Sequence, residues 1–343
     1  MTTIGFVGLG LIGDRRRRIV QSLGHELAFA VDSDRARIAP LEMSGVPVAT
    51  TIEGLGKGLK VPDAVVVAVP HNLAAHVCIW ALDQGAHVLC EKPLGISSAE
   101  ARAIKGQAAA RQRVVGTGFN YRYLAGIECL RGLLGSGSLG SVYRVRMMIG
   151  HGGRPGMERE WKLNRALAGG GALIDPGIHL VDLARHLFGE LAVVDARLTR
   201  RFWRSNVEDN CSLALQCGET ETSIDVTLTS WKNQFSIEVY GRDAMVTVTG
   251  RGGNYGPQVV ELVPRWFWQG GEDPQRWDLG ADDRSFELET ADFLRGVSGG
   301  GWARALATVD DGVAALVAVE ALYERAGRDG WPGDSHPSLP GAE

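Results

Sequence analysis

Residues 4–32 constrain the chain more than any other stretch. An apolar run, Ile4-Gly5-Phe6-Val7, breaks at once into Gly8-Leu9-Gly10-Leu11-Ile12-Gly13. A second apolar run, Leu27-Ala28-Phe29-Ala30-Val31, ends in Asp32. Physically this reads as strand, glycine turn, helix, strand. Gly8 permits the tight turn, Gly10 lets the backbone approach a pyrophosphate, and Gly13 lets the helix lie close on the sheet. The helix N-terminus, with Leu11 and Ile12 in its first turn, faces the phosphates. Asp32 falls 24 positions after Gly8, where a carboxylate can accept from both hydroxyls of a ribose, and Ser33 stands beside it. The glycine pattern alone is weak. Framed by two strands and a correctly spaced acid, it specifies a dinucleotide site.

The acid also selects the dinucleotide. A site for NADP sets a cation and a small polar group where the 2′-phosphate sits, with no carboxylate to repel it. Asp32 and Asp34 therefore favour NAD, although Arg35 is close enough to supply a cation. The helix after Gly13 carries four consecutive arginines, Arg15 to Arg18, which point all round it at 100° per residue. Arg16 falls on the sheet-facing stripe with Ile12, Ile19, Val20 and Leu23. A guanidinium there must snorkel out or find a partner, and two readings stay open: a solvated basic face with one snorkelling member, or Arg16 or a neighbour reaching the cofactor phosphates or the substrate.

Repeated alternation extends this opening into a domain. Strands are expected at 46–49, 63–69, 86–90 and 113–118, with a helix at 73–84 closed by Gly85. Near-continuous apolar strands alternating with helices mean a parallel, doubly wound Rossmann sheet, here residues 1–122. Ligands of such sheets sit beyond the carboxyl ends of the strands, where Pro70, His71, Glu91, Lys92 and Asn120 fall. A chain of 343 residues, 45% of them hydrophobic, has length for a second domain. The net charge of -4 gives no reason to expect nucleic acid or an anionic membrane as partner. No apolar run approaches a membrane span, and the immediate entry into a strand leaves no room for a signal peptide. Five cysteines in apolar surroundings show no metal spacing and read as core residues of a reducing cytoplasm. No metal is expected.

The second half, 123–327, reads as α+β. A helix at 126–134 precedes a strand at 142–149, and period-2 alternation marks strands at 191–200, 211–217, 222–230, 235–240 and 244–249. Such a meander makes an open, mostly antiparallel sheet. Residues 250–279, rich in glycine and carrying Trp266, Trp268 and Trp277, read as a long loop whose indoles either stack on a ligand or plug the domain. Helices at 288–296 and 303–327 close the chain and can pack back on the first domain, before a Pro/Gly tail, 328–343, expected to be disordered. Between the halves, Gly169-Gly-Gly-Ala-Leu-Ile-Asp-Pro-Gly-Ile-His179 is a second chemical centre. Asp175 reads as a good N-cap and Pro176 as a good first residue of a helix running to 188. Asp175, His179, Asp182 and His186 share a polar face, which by spacing alone is more readily solvated than functional.

Several segments resemble one family. Gly85-Ala-His-Val-Leu-Cys-Glu-Lys-Pro93, Gly118-Phe-Asn-Tyr-Arg-Tyr123 and Asp175-Pro-Gly-Ile-His179 resemble motifs of the glucose-fructose oxidoreductase/inositol dehydrogenase/rhizopine catabolism (Gfo/Idh/MocA) family. Glu208-Asp209 and Trp231 also match its pattern. The fit is looser after Tyr123, where Leu124-Ala125-Gly126 stands in place of a proline common in relatives. The resemblance implies that Lys92 lies beside the nicotinamide and the reacting carbon, and that Asp175 and His179 complete a catalytic triad with it. It implies a polyhydroxylated substrate (a sugar, nucleotide sugar or cyclitol) contacted by Arg122, Trp161 and Lys162. It also implies a homodimer or homotetramer formed through the second sheet. Arg154, Arg159, Lys162 and Arg165 would suit a phosphorylated or nucleotide-linked sugar.

The chemistry expected is hydride transfer between NAD and a secondary alcohol or ketone. His179 takes the alcohol proton as base, Lys92 stabilises the developing alkoxide, and Asp175 orients the substrate or balances charge. Two rivals use the same fold. One is an NAD-dependent glycosidase that oxidises only transiently, the other a non-catalytic NAD-binding regulator, against which the intact Lys92, Asp175 and His179 argue.

Overall fold

Strands that are apolar along their whole length are buried on both faces, and the first half of the chain is built from them. The structure, a computed structural model, describes residues 1–56, 60–303 and 305–327. Along the first half run β1 (Thr3–Val7), α1 (Leu11–Ser22), β2 (Glu26–Val31), α2 (Arg35–Met43), β3 (Val48–Ala49) and β4 (Ala64–Val67). α3 (His71–Asp83), β5 (His87–Glu91), α4 (Ser98–Arg111) and β6 (Val115–Gly118) follow. The six strands are parallel, in the order β3-β2-β1-β4-β5-β6. The order reverses beside β1, so a crevice opens at the carboxyl ends of β1 and β4, where such sheets bind ligands. This is the doubly wound Rossmann sheet the alternation called for.

Two glycines of the opening turn are required by the fold itself. Gly8 has φ +89°, and a Cβ added there would stand 2.3 Å from the Ala68 carbonyl oxygen. At Gly13 an added Cβ would stand 1.9 Å from the Gly8 carbonyl oxygen. Gly10 is different. An added Cβ there meets only Arg37 Nη1, at 3.8 Å, so the protein leaves the space beside the helix N-terminus open.

The second half begins with α5 (Ala125–Gly135), β7 (Val142–Gly150), α6 (Arg165–Ala168) and α7 (Ile178–Phe188). Then come β8 (Leu191–Thr199), β9 (Asn210–Cys217), β10 (Thr220–Thr227), β11 (Gln234–Gly241) and β12 (Ala244–Thr249). The described chain ends with β13 (Val259–Pro264), β14 (Gln275–Asp278), α8 (Ser285–Val297) and α9 (Val309–Arg325). The eight strands form one sheet in the order β14-β13-β12-β11-β7-β10-β9-β8. β7 and β10 pair parallel and every other neighbouring pair is antiparallel. Alternation sets the faces: Cys211, Leu213, Leu215 and Cys217 are buried, with Ser212 and Gln216 turned the other way. α7 packs against β7, β9 and β10.

The loop expected at 250–279 is corrected: β13 and β14 lie within it and extend the sheet by a hairpin. Glycines and tryptophans had obscured the alternation Val260, Leu262, whose side chains are buried. Trp266 and Trp268 stand exposed at that hairpin's tip, and Trp277 is half-buried against the core.

Both closing helices return to the first half. α8 lies on α1, while α9 packs on α4 and β6 and also on β8 and α7. The Thr117 amide donates to the Ala307 carbonyl at 2.8 Å, and the Ser98 amide and hydroxyl donate to the Glu320 carboxylate at 2.7 and 2.5 Å. Among the described residues no helix is long and apolar enough to cross a membrane, and no cluster of metal-ligating side chains occurs. The tail at 328–343 lies outside the described residues.

Candidate active site

The parallel sheet delivers polar residues to its carboxyl edge, and the second half closes over them. β5 ends in Glu91 and is followed by Lys92 and a cis Lys92–Pro93 bond. Asn120 and Tyr121 follow β6. A five-residue π-type turn, Leu173–Gly177, runs straight into α7 and carries Asp175 to the same place, one turn before His179. These residues line a cleft of about 630 Å³ whose floor includes Leu11 and Ile12 from α1.

Asp175 does not cap a helix. The chain is already helical at Ala172 (φ -55°, ψ -35°), and the Gly177 amide donates to the Ala172 carbonyl at 2.9 Å, so no free helix end awaits a cap. The turn is instead held by Glu208. Its carboxylate accepts from the Gly171 and Leu173 amides at 3.0 and 2.9 Å and from the Tyr323 hydroxyl at 2.7 Å. A π-type turn widens the backbone enough to admit Pro176, and such turns recur at functional sites.

Freed from capping, the Asp175 carboxylate is shared by two ammonium groups. Lys92 Nζ donates to Asp175 Oδ1 at 2.7 Å and to its carbonyl at 2.8 Å, and Lys162 Nζ donates to Oδ2 at 2.8 Å. Burial pushes the Asp175 acid up, but Lys162 and Lys92 outweigh it and hold the group well below the usual carboxylate range. Burial also lowers Lys92, and Asp175 only partly restores it. The lysine is therefore a desolvated, oriented cation at the cleft wall.

His179 is the complementary group. Its ring stacks on Tyr121, 3.9 Å between centroids and 7° between planes, with Phe119 edge-on. Nδ1 is buried without a hydrogen-bond partner. Burial first, then the charges of Lys92 and Arg251, depress the imidazole well below its ordinary value, so at neutral pH it is an uncharged proton acceptor.

At the far end of the crevice, Asp32 is buried and already engaged. Its Oδ2 accepts from the Leu9 amide at 2.6 Å and its Oδ1 from the Asp34 amide at 2.8 Å, which fixes the carboxylate at the end of β2 beside Ser33. The nearby cation is Arg37, with Nη1 at 3.4 Å from Asp32 Oδ2; Arg35 turns away to Glu42. Gly8, Gly10, Gly13 and the α1 N-terminus fit a dinucleotide: the space a Gly10 side chain would fill is open, and the free amides of α1 face it.

Other expected contacts disperse. Arg122 is buried in a two-bond pair with Asp182, at 2.8 and 2.5 Å, and a guanidinium so committed cannot also reach a substrate. His71 turns its Nδ1 to the Ala168 carbonyl at 2.8 Å, with Trp161 edge-on at 4.8 Å, and neither lines the cleft. Burial, then Lys92, depresses His71 to about 4, so it is a neutral packing residue. Pro70 starts α3 as its cap residue and also lies off the cleft wall. Asn120 lines the cleft, but its amide donates to Ser285 Oγ at 2.7 Å. Of the basic set Arg154, Arg159, Lys162 and Arg165, only Lys162 lines the cleft, since Arg154 pairs with Glu160 and Arg159 with Glu158.

Arg16 takes neither of its expected roles. It is fully buried and donates to Glu91 Oε1 at 2.5 Å, to Glu289 Oε2 at 2.5 Å and to Thr290 Oγ1 at 2.9 Å. It thus clamps the residue before Lys92 to α1 and α8. Several residues of the cleft wall had no expected role, and two of them, Tyr121 and Arg251, bear directly on His179. Tyr121 sat inside a motif already singled out and could have been found by adjacency to Asn120. Arg251 lies in a glycine turn after β12, and only the sheet topology carries it to His179.

Two family models match the chain. Residues 2–119 match an oxidoreductase family with an NAD-binding Rossmann fold, and residues 127–247 match the GFO/IDH/MocA C-terminal domain. A levoglucosan dehydrogenase of Pseudarthrobacter phenanthrenivorans is 28% identical over 204 residues, 58% of this chain and 45% of that protein. A D-glucoside 3-dehydrogenase of Escherichia coli is 34% identical over 135 residues, 38% of this chain and 37% of its own. The matched stretches thus span under half the length of these curated relatives. In three dimensions, levoglucosan dehydrogenase in complex with NADH and levoglucosan superposes with a TM-score of 0.83 at 18% identity, covering 96% of this chain and 97% of that one. That likeness is one of fold. With a family model on each half of the molecule, and the glycine turn and Asp32 in place to receive the dinucleotide, the chain belongs to the Gfo/Idh/MocA family of oxidoreductases with an NAD-binding Rossmann domain.

Proposed function

We propose that the protein is an NAD-dependent dehydrogenase or reductase that interconverts a secondary alcohol and a ketone on a sugar, nucleotide sugar or cyclitol. One observation carries the reading: an oriented ammonium, Lys92, and an unpaired neutral imidazole, His179, border one cleft at the carboxyl edge of the dinucleotide-binding sheet. Oxidising an alcohol needs a proton acceptor and a stabiliser of the developing oxyanion at the same oxygen. In oxidation, His179 takes the hydroxyl proton, and in reduction it returns it to the carbonyl oxygen. Lys92 donates a hydrogen bond to that oxygen throughout. Asp175 keeps Lys92 charged and aimed, so its part is charge balance and positioning. NAD, when bound, supplies the hydride acceptor, held by the α1 N-terminus, Gly10 and Asp32. The named activities of the relatives, on levoglucosan and D-glucosides, agree with a polyhydroxylated ring as substrate.

A panel of sugars, nucleotide sugars and cyclitols, read together by NADH absorbance and product mass, tests this reading. One member is expected to yield NADH and a product lighter by two hydrogens. The same substrate with NADP is expected to react with kcat/KM lower by roughly tenfold or more, because Asp32 meets the 2′-phosphate. Glycoside cleavage without accumulating NADH would replace this reading with the glycosidase one. No turnover with any member would return the regulator to favour.

We further propose that the protein assembles as a homodimer or homotetramer through the outward face of the eight-stranded sheet. Arg146, Met148, Ser223, Ser236 and Glu238 lie in register on that outward face, opposite the side on which α7 packs. Light scattering at micromolar concentration is expected to give a dimer or tetramer mass; a monomer mass would exclude this assembly.

A further inference from the structure

Each cation of the cleft has a carboxylate partner except one. Lys92 and Lys162 share Asp175, and Arg15 pairs with Asp283 at 3.3 Å. Among the described residues Arg251 has no carboxylate within ion-pair distance, and its Nε is buried without a hydrogen-bond partner. Burying a guanidinium unpaired is costly, and chains keep such groups where something else supplies the anion.

The backbone is built to hold it there. Gly250 (φ +69°) and Gly252 (φ +86°) flank Arg251, and a Cβ on either would lie 2.0 Å from the Pro257 oxygen or 2.6 Å from the Ala281 oxygen. The Gly252 amide donates to the Gly256 carbonyl at 2.9 Å and the Gly253 amide to the Ala281 carbonyl at 3.1 Å. The side chain is fixed as firmly. Its Cζ lies 3.9 Å over the Tyr255 ring and 5.0 Å from the centre of Tyr121, the ring on which His179 stacks. Aromatic faces set the plane of the guanidinium, with the Tyr255 hydroxyl and, farther off, the Asp283 charge beside it, and a guanidinium held in a fixed plane recognises a carboxylate or phosphate by paired N–H donors.

The geometry points to Arg251 as the receptor for an anionic substituent carried by the substrate. The substrate class is then a polyhydroxylated ring bearing a carboxylate or a phosphate, a sugar acid or a sugar phosphate. This rests on the sugar-oxidoreductase reading above for what the cleft does, but the anion site itself follows from Arg251 alone.

Calorimetric titration of the NAD-loaded enzyme separates the two. Glucuronate, glucose 6-phosphate and glucose are the probes, with wild type, Arg251→Gln and Arg251→Lys compared, and NADH formation is followed in parallel. One anionic probe is expected to bind wild type at least tenfold more tightly than glucose, and which of the two does so identifies carboxylate or phosphate. Arg251→Gln is expected to weaken that probe roughly 10- to 100-fold, through KM more than kcat where turnover occurs, with Arg251→Lys partly restoring it. NAD affinity is expected to hold. Equal binding of glucose and both anions to wild type, or a loss of NAD affinity in Arg251→Gln, overturns the proposal; the second result would place the guanidinium on the cofactor instead. Arg251-dependent anion binding with no turnover leaves this site standing and removes the dehydrogenase reading.

Discussion

Lys92→Ala is expected to lower turnover with the true substrate by roughly 10²–10⁴-fold, the range for a positioned acid–base or oxyanion donor, while NAD binding survives. His179→Ala should do the same. Because both act on one oxygen, one proton and one charge, the double variant should lose far less than the product of the two. Steady-state kinetics with calorimetry of NAD checks all three variants. The pH profile gives an independent arm. His179 works as a base only when neutral, and burial with Lys92 and Arg251 depresses it well below its ordinary value. The oxidation rate of the wild type is therefore expected to hold through the ordinary histidine range and to fall only at more acid pH. Normal turnover in both single variants would show that the site's chemistry lies elsewhere.

The second large effect is on stability. Arg16→Met leaves the Glu91 and Glu289 carboxylates without the guanidinium that joins them, and Glu289 is wholly buried. Breaking a buried pair from one side costs about 3–5 kcal/mol, and urea unfolding should show a loss of that size. The loss should also depend on pH, and its sign follows from Glu289. Burial outweighs Arg16 and raises Glu289 to about 7, so the folded state keeps a proton that the unfolded chain has released. The stability this group contributes is present at acid pH and fades as pH rises through about 7. Without Arg16 the folded-state value climbs further, so the deficit of Arg16→Met should be smaller at about pH 5.5 than at about pH 8. A deficit that does not change with pH would mean that Glu289 is ionised throughout.

What the sequence revealed and what it hid divide along range of contact. The parallel sheet was legible because strands buried on both faces must be apolar throughout, and Gly8, Gly13 and Asp32 lie within one strand–helix–strand unit. The place of Lys92 followed from its strand end, but its role and those of Asp175 and His179 rested on family resemblance; spacing alone could not separate a functional helix face from a wet one. Arg16 was legible as facing the sheet, but not what it meets there, because its partner Glu289 lies 273 positions away. Arg122 was misplaced for the same reason, its partner Asp182 being 60 positions on. Asp175 was read as a cap because a local rule assumes that the helix begins where the pattern does. Arg251 carried no local signal at all. A lone arginine between glycines acquires meaning only when the hairpin topology lays it across from Tyr121.

The double attachment of α9 has a mechanical consequence. Its apolar side chains, Ala315, Leu316, Val319 and Leu322 among them, are buried between α4 and β6 on one side and β8 and α7 on the other. A swing of one half away from the other would have to peel this spar from one of its seats. Each large aliphatic side chain so uncovered costs about 1.5–3 kcal/mol, and Ser98 would lose its bonds to Glu320 as well. Opening the cleft by a hinge would therefore carry that cost, whereas the segments 251–255 and 281–283 border the cleft without passing under this spar.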